Sequence, residues 1–233
     1  MSLTRRTMLK TTAGAVVGAA AIGANVPKAK AATDAELKIP ANADFYDADG
    51  VFDVEKGKDA VIALCEYNGY PVFDGFRDGL WVSDYATGVF RELGLAAFMY
   101  HNNPEGEYSY MVMDLFLMPG QMLPEHWHLS GEGNQAKNEG WLIRWGQSHV
   151  VGIGEPNLTS DIVIPKCHCD GTVETKHQTI ATPGTFVPLA EVGSKHWQYG
   201  GPEGAIITEV ANCHTDSAVR HADPALNKFF LGE

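Results

Sequence analysis

From Leu93 onward, short apolar or alternating runs follow one another along the chain. They cover Leu95 to Tyr100, Tyr108 to Met118, Gly140 to Ile153, Ile180 to Pro188 and Ala205 to Val210, with Gly, Pro and Asn between them. Runs of this length, with no helical pattern between them, predict the strands of a β-sandwich or barrel. The upstream texture differs. Residues 32–60 are polar and irregular around Pro40 and the stretch Asp44 to Gly50, and Val61 to Tyr67 reads as helical. Tyr70 to Val82 is aromatic and Gly-rich and fits either state. No repeat or linker divides residues 90–233.

The first residues carry a different signature. Arg5 and Arg6 precede a short apolar stretch from Ala13 to Val26, and Ala29, Lys30 and Ala31 form a small-residue cleavage pattern. That stretch is shorter than the ~20 residues a spanning helix needs, so it reads as a signal peptide. The arginine pair before a weakly apolar core resembles a twin-arginine export signal, with Met8 at the consensus aromatic position. The predicted organisation is a signal over 1–31, an arm and extension over 32–90, and a β-barrel domain over 91–233. Export machinery is then a partner, the mature protein is periplasmic or secreted, and no membrane anchor remains after cleavage.

Charge narrows the partners. The formal net charge is −12, and removing residues 1–31 takes away Arg5, Arg6, Lys10, Lys28 and Lys30 and no acid, leaving −17. Such a surface argues against nucleic acid or anionic lipid, and softly against anionic substrates such as sugar phosphates. The 45% hydrophobic content supplies a core, and four cysteines do not make a disulfide framework.

The densest chemistry is the run Gly120 to His128. On a strand, His126 and His128 point to one face and can present two imidazoles to one ion. Glu139 opens a further strand pattern that closes at Gly146, and His196 follows the turn Gly193 to Lys195. Gly-x5-His-x-His, then Glu-x6-Gly, then Pro…Gly-x2-His resembles the two-part signature of the cupins. The resemblance implies an all-β, double-stranded β-barrel (jelly roll) with a helical or irregular N-terminal extension. It also implies a divalent ion held by His126, His128, Glu139 and His196. The gap from His128 to Glu139 is longer than is common in cupins, and Glu132 in the Gly131 to Asn134 turn is the alternative fourth ligand. Three imidazoles and a carboxylate suit Mn²⁺, the first choice, or Fe²⁺, Co²⁺, Ni²⁺ or Zn²⁺ rather than Ca²⁺. Folded export would let the cytoplasm select the metal.

Longer stretches over about residues 75–225 resemble the D-lyxose ketol-isomerases. These are Asp84 to Phe90 with Gly94, Leu95 and Phe98, the Pro124-x-His126-x-His128 approach, Lys137-x-Glu139, Ser160 to Ile162, the Pro183-Gly184 turn, and Glu209-Val210 ahead of Arg220 and His221. The lengthened hairpin, the surroundings of His196 and the export signal depart from the family. The resemblance implies aldose–ketose isomerisation of a free sugar through an enediol, with Glu209 as the base. A carboxylate inside Ile206 to Val210 is costly unless it faces a cavity or a partner. Lys137, two residues from Glu139, is the candidate for stabilising enediolate charge or relaying a proton. Asp114, Trp141, Gln198, Arg220 and His221 are candidate sugar contacts.

Two other readings use the same ligands. A cupin dioxygenase would pair Fe²⁺ with O₂ and an apolar pocket, without needing Glu209 or Lys137. A non-catalytic periplasmic cupin would bind sugar or metal and turn nothing over. Cys167, His168 and Cys169 resemble a metal-binding fragment but lack a second cysteine pair, so a disulfide or an exposed turn is the plainer reading. Cupins commonly dimerise, which makes a homodimer an expectation.

Overall fold

The computed structural model describes residues 37–103, 108–131 and 135–232. The expected export signal and Glu132 lie outside them. Helix α1 (Val54–Asn68) begins at Asp53, whose side chain accepts from the N–H groups of Glu55 and Lys56, and ends at Gly69 in the left-handed region. It starts earlier than the Val61 expected from the pattern, because its first turns are mostly polar and charged. A short turn α2 (Phe76–Gly79) leads into β1 (Leu80–Ser83).

The strands then follow as β2 (Leu95–Asn103), β3 (Tyr110–Leu117), β4 (Met122–His128), β5 (Glu139–Gly152), β6 (His177–Ala181), β7 (Phe186–Pro188), β8 (His196–Ala211) and β9 (Val219–His221). Helix α3 (Pro224–Leu231) comes last. The order is β1-β2-β3-β8-β4-β9, and β5 pairs with β6, β7 and β8. The named pairings are antiparallel, and the nine strands form one curled sheet, all-β as expected. The run Ile180 to Pro188 resolves into two strands, β6 and β7, separated by the Pro183-Gly184 turn.

Both faces of β3 are buried. Met111, Met113, Leu115 and Leu117 belong to the core inside the curl, while Phe116 packs outside it with Val61, Leu64 and Cys65 of α1. The same alternation runs through β8, where Ala205 and Ile207 face inward and Ile206 faces α1. That parity sends Glu209 inward as well.

The long strand β8 is bent. Its first residues pair with β4 and its last with β3, while β5 follows both halves. At the bend, Gly204 has φ +75° and a Cβ there would sit 2.5 Å from the Leu117 carbonyl oxygen. Opposite it, Gly146 has φ +69°, and a Cβ would lie 2.1 Å from the Gly204 oxygen. Only glycine fits either position.

Candidate metal centre and cavity

His126 and His196 are directly opposed on β4 and β8, and His128 lies two residues along β4. The ring centroids of His126 are 5.1 Å from His128 and 4.3 Å from His196. One ring nitrogen from each of the three lies within 4.8 Å of the others. Nδ1 of His126 donates to the Pro124 carbonyl at 2.8 Å, and Nδ1 of His196 to that of Ser194 at 3.0 Å. Those bonds fix the tautomer and leave each Nε2 with a bare lone pair.

Glu139, the first residue of β5, stands against two of these rings. Its Oε1 lies 3.1 Å from His128 Nε2 and 3.2 Å from His196 Nε2. All three atoms are buried and none makes a well-formed hydrogen bond. Lone pairs converging in a dry site are costly unless a cation sits among them. The three imidazoles, with the Glu139 carboxylate beside two of them, therefore fit a divalent transition metal. Burial pushes the His126 imidazole well down, helped by the neighbouring rings, and pushes His128 down to about 4. His196 behaves differently. Burial opposes its charge, but Glu139 outweighs this and draws positive charge to that point.

Behind the imidazoles lies a second layer of charge. Lys137 Nζ reaches Glu139 Oε2 at 3.0 Å and donates to Glu209 Oε1. The other oxygen of Glu209 accepts from Trp141 Nε1 at 3.1 Å. Lys137, Glu139 and Trp141 share one side of the chain by period-two spacing. Burial opposes the charge on both Lys137 and Glu139, but the opposite charges beside them outweigh it. Lys137 is held above its usual range and Glu139 well below its own. Glu209 is pushed up, by burial first, with Glu139 adding to this and Lys137 opposing it. Two neighbouring carboxylates are thus driven apart, one kept as an anion and one made a better proton acceptor.

A cavity of about 250 Å³ opens beside these groups, lined by His126, His128, Lys137 and Glu209. His221, one of the candidate sugar contacts, also lines it. His214 and Asp216 line it too, joined by a 3.0 Å bond, and were not singled out from the sequence. The signal available was a histidine two residues before an acid, just after the strand bearing Glu209. Much of the remaining wall is apolar and includes Leu95, Met99, Met113, Leu115 and Leu123.

Four expected sugar contacts stand elsewhere. Asp114 faces α1, accepting from Tyr70 Oη at 2.6 Å and Thr208 Oγ1 at 2.5 Å, because inward-facing Met113 flanks it on the strand. Arg220 turns outward on β9 and donates to the Ser217 and Val219 carbonyls. Gln198 is buried deeper in the barrel, where its Oε1 accepts from Ser148 Oγ at 3.2 Å. Trp141 is behind Glu209 rather than on the cavity wall, with its ring 5.1 Å from that of His196.

The chain thus lines the cavity with four imidazoles, those of His126, His128, His214 and His221, beside Glu209 and Lys137. Its curated relatives include D-lyxose ketol-isomerases. The protein of that name from Cohnella laeviribosi is 28% identical over 173 residues, covering 74% of this chain and 92% of the relative. One from Thermofilum sp. (strain ex4484_79) is 25% identical over 75% of this chain and 94% of its own. A D-lyxose/D-mannose isomerase from Thermosediminibacter oceani is 27% identical over 65% of this chain and 81% of its own. No family model matches. Among solved structures, an oxalate oxidase is similar over 55% of each chain, at 14% identity and a TM-score of 0.38. The polyketide cyclase RemF from Streptomyces resistomycificus is similar over 56% of this chain and 75% of its own, at 15% identity and a TM-score of 0.38.

Proposed function

We propose that this chain is a metal-dependent aldose–ketose isomerase acting on a small neutral sugar of the D-lyxose or D-mannose type. The observation that carries the reading is Glu209, a buried carboxylate on the cavity wall, held by Lys137 and Trp141 beside the three imidazoles. The names of the curated relatives support it. At about 250 Å³ the cavity falls just below the roughly 300–1,000 Å³ usual for ligand sites, and suits a monosaccharide rather than a polymer.

His126, His128, His196 and Glu139 would hold the metal, Mn²⁺ as first choice, and when bound it supplies Lewis acidity toward the sugar oxygens. The rest of the work falls to the chain. Glu209 takes the proton from C2 of the aldose and returns it to C1 of the enediol, while the proton of the C2 hydroxyl passes to the C1 oxygen, giving the ketose. Lys137 commits protons to both carboxylates, and its charge offsets the negative charge that appears on the enediolate oxygens. Trp141 fixes the Glu209 carboxylate plane. The enclosing apolar wall keeps water from competing for the proton.

The test is incubation of the metal-loaded protein with a pentose and hexose panel in D₂O. Ketose carrying solvent deuterium is expected, and Glu209→Gln should abolish exchange while the metal content stays the same. The apolar wall is the one observation favouring a dioxygenase, and oxygen uptake without ketose would replace the proposal with that reading. Binding without exchange would instead make the protein a sugar-binding cupin.

We carry export as part of the same proposal, on Arg5, Arg6 and the Ala29 to Ala31 pattern. N-terminal sequencing of protein from the periplasm should find a chain beginning near Ala32. A chain retained in the cytoplasm and still beginning at residue 1 or 2 would sink it.

A further inference from the structure

Cys167, His168 and Cys169 take no part in the isomerase reading, yet they are not an ordinary turn. They sit in the long connection between β5 and β6. His168 is 0% exposed, and neither of its ring nitrogens has a hydrogen-bond partner. An imidazole always carries a donor or an acceptor at each nitrogen, so a buried ring whose nitrogens no protein group meets is open to another partner.

The missing partner comes from the other end of the domain. Asp223 caps α3, with Oδ1 accepting from Ala225 N at 2.8 Å. Its Oδ2 accepts from the backbone N–H of Cys169 at 2.7 Å, across 54 residues of sequence. That bond pins the turn against the start of α3. A ring nitrogen of His168, Cys169 Sγ and an Asp223 oxygen then lie within 4.8 Å of one another. Each carboxylate oxygen keeps a second lone pair. Both Cys167 and Cys169 are free thiols, so no disulfide consumes the sulfur. Asp223, Glu125 and Glu174 all bear on Cys169 against the one cation Lys195, and their field favours a positive ion there.

We propose that His168, Cys169 and Asp223 form a second metal site, separate from the cavity, that takes one Zn²⁺ or a similar borderline-soft divalent ion. A mixed N, S and O set is the chemistry of zinc, and bonds of about 2.0–2.3 Å would draw the three donors together with small side-chain movements. Cys169 is only partly buried, so the fourth position opens toward solvent. On binding, the S–H bond breaks, the sulfur pair goes to the metal and the proton leaves to water; no electrons are exchanged. The ion would clamp the β5–β6 connection to α3, two residues beyond His221, and so brace the back wall of the cavity.

The test uses the full chain, stripped with a chelator and reloaded with Co²⁺ or Zn²⁺. Elemental analysis should give one more metal ion per chain than the cavity site holds, and the Co²⁺ form should show a thiolate charge-transfer band. Cys169→Ser and His168→Gln should each lose that band and one ion, and keep the metal held by the cavity. A wild-type protein with one ion and no thiolate band overturns the proposal, as does a band that survives Cys169→Ser. Should the variants fail to fold, alkylation of the wild type decides. Cys169 protected by Zn²⁺ and exposed after chelation supports the site; labelling indifferent to metal overturns it.

Discussion

Trp141 and Glu209 stand opposite each other on β5 and β8, and the indole N–H donates to Glu209 Oε2 at 3.1 Å. The bond orients a carboxylate that is almost fully buried. Trp141→Phe keeps the ring and removes the donor. A hydrogen bond to a charged group is worth about 1.5–3 kcal/mol, so turnover should fall on the order of 10- to 100-fold. The far-ultraviolet spectrum and metal content should not change. Steady-state kinetics on D-lyxose checks this, and a variant as active as the wild type would remove Trp141 from the site.

Lys137 is wedged between Glu139 and Glu209 and almost fully buried. Lys137→Met leaves two buried carboxylates facing each other without a counter-charge. Breaking a buried pair in this way costs about 3–5 kcal/mol. Chemical denaturation should show that loss, and the double variant Lys137→Met with Glu209→Gln should recover part of it. Equal stabilities of the single and double variants would mean the two carboxylates are not coupled through Lys137.

Asp114 is a structural acid. Asp114→Asn weakens its bonds to Tyr70 and Thr208 beneath α1 and should cost about 1–3 kcal/mol in stability. KM and kcat should stay within about twofold, since the loss is in folding and not in the barrier. A raised KM with unchanged stability would return Asp114 to the sugar site.

Acid should destabilise the protein through His221. Burial pushes this imidazole down to about 4, with His168 and His128 adding to the shift and Asp223 opposing it. The unfolded chain binds the proton near pH 6.5, the folded one near 4, so the unfolded state holds more protons between those values. Stability is therefore full above about pH 6.5 and falls as the pH drops through that window, by as much as about 3 kcal/mol. His221→Phe should flatten the slope of urea midpoints between about pH 7 and pH 4.5. An unchanged slope would assign the proton uptake to other groups.

Most strands and the convergence of His126 with His128 were legible in the sequence, because both depend on a spacing of two. Glu139 at the head of β5 followed from its run to Gly146. Asp114 was misread for a physical reason. Both faces of β3 are buried, one in the barrel and one under α1, so alternation alone does not say which side holds the cavity. The start of α1 was hidden by its polar first turns. Arg220 needed the register of β9 against β4, which a three-residue edge strand does not advertise. Cys167 to Cys169 looked incomplete because Asp223 is distant in sequence and is brought in only by the cap of α3.

The bend in β8 has a consequence for how the site comes into being. His196 and Ala211 are the two ends of a single strand, which would lie about 50 Å apart if it were straight. Yet His196 touches Glu139, the strand partner of Ala211. The two ends of β8 are therefore brought to one place by a fold in the backbone, not by the length of any loop. Gly146 and Gly204 act as the crease. A half-closed barrel has the right residues in the right order but no centre, so metal uptake would report that the crease has closed.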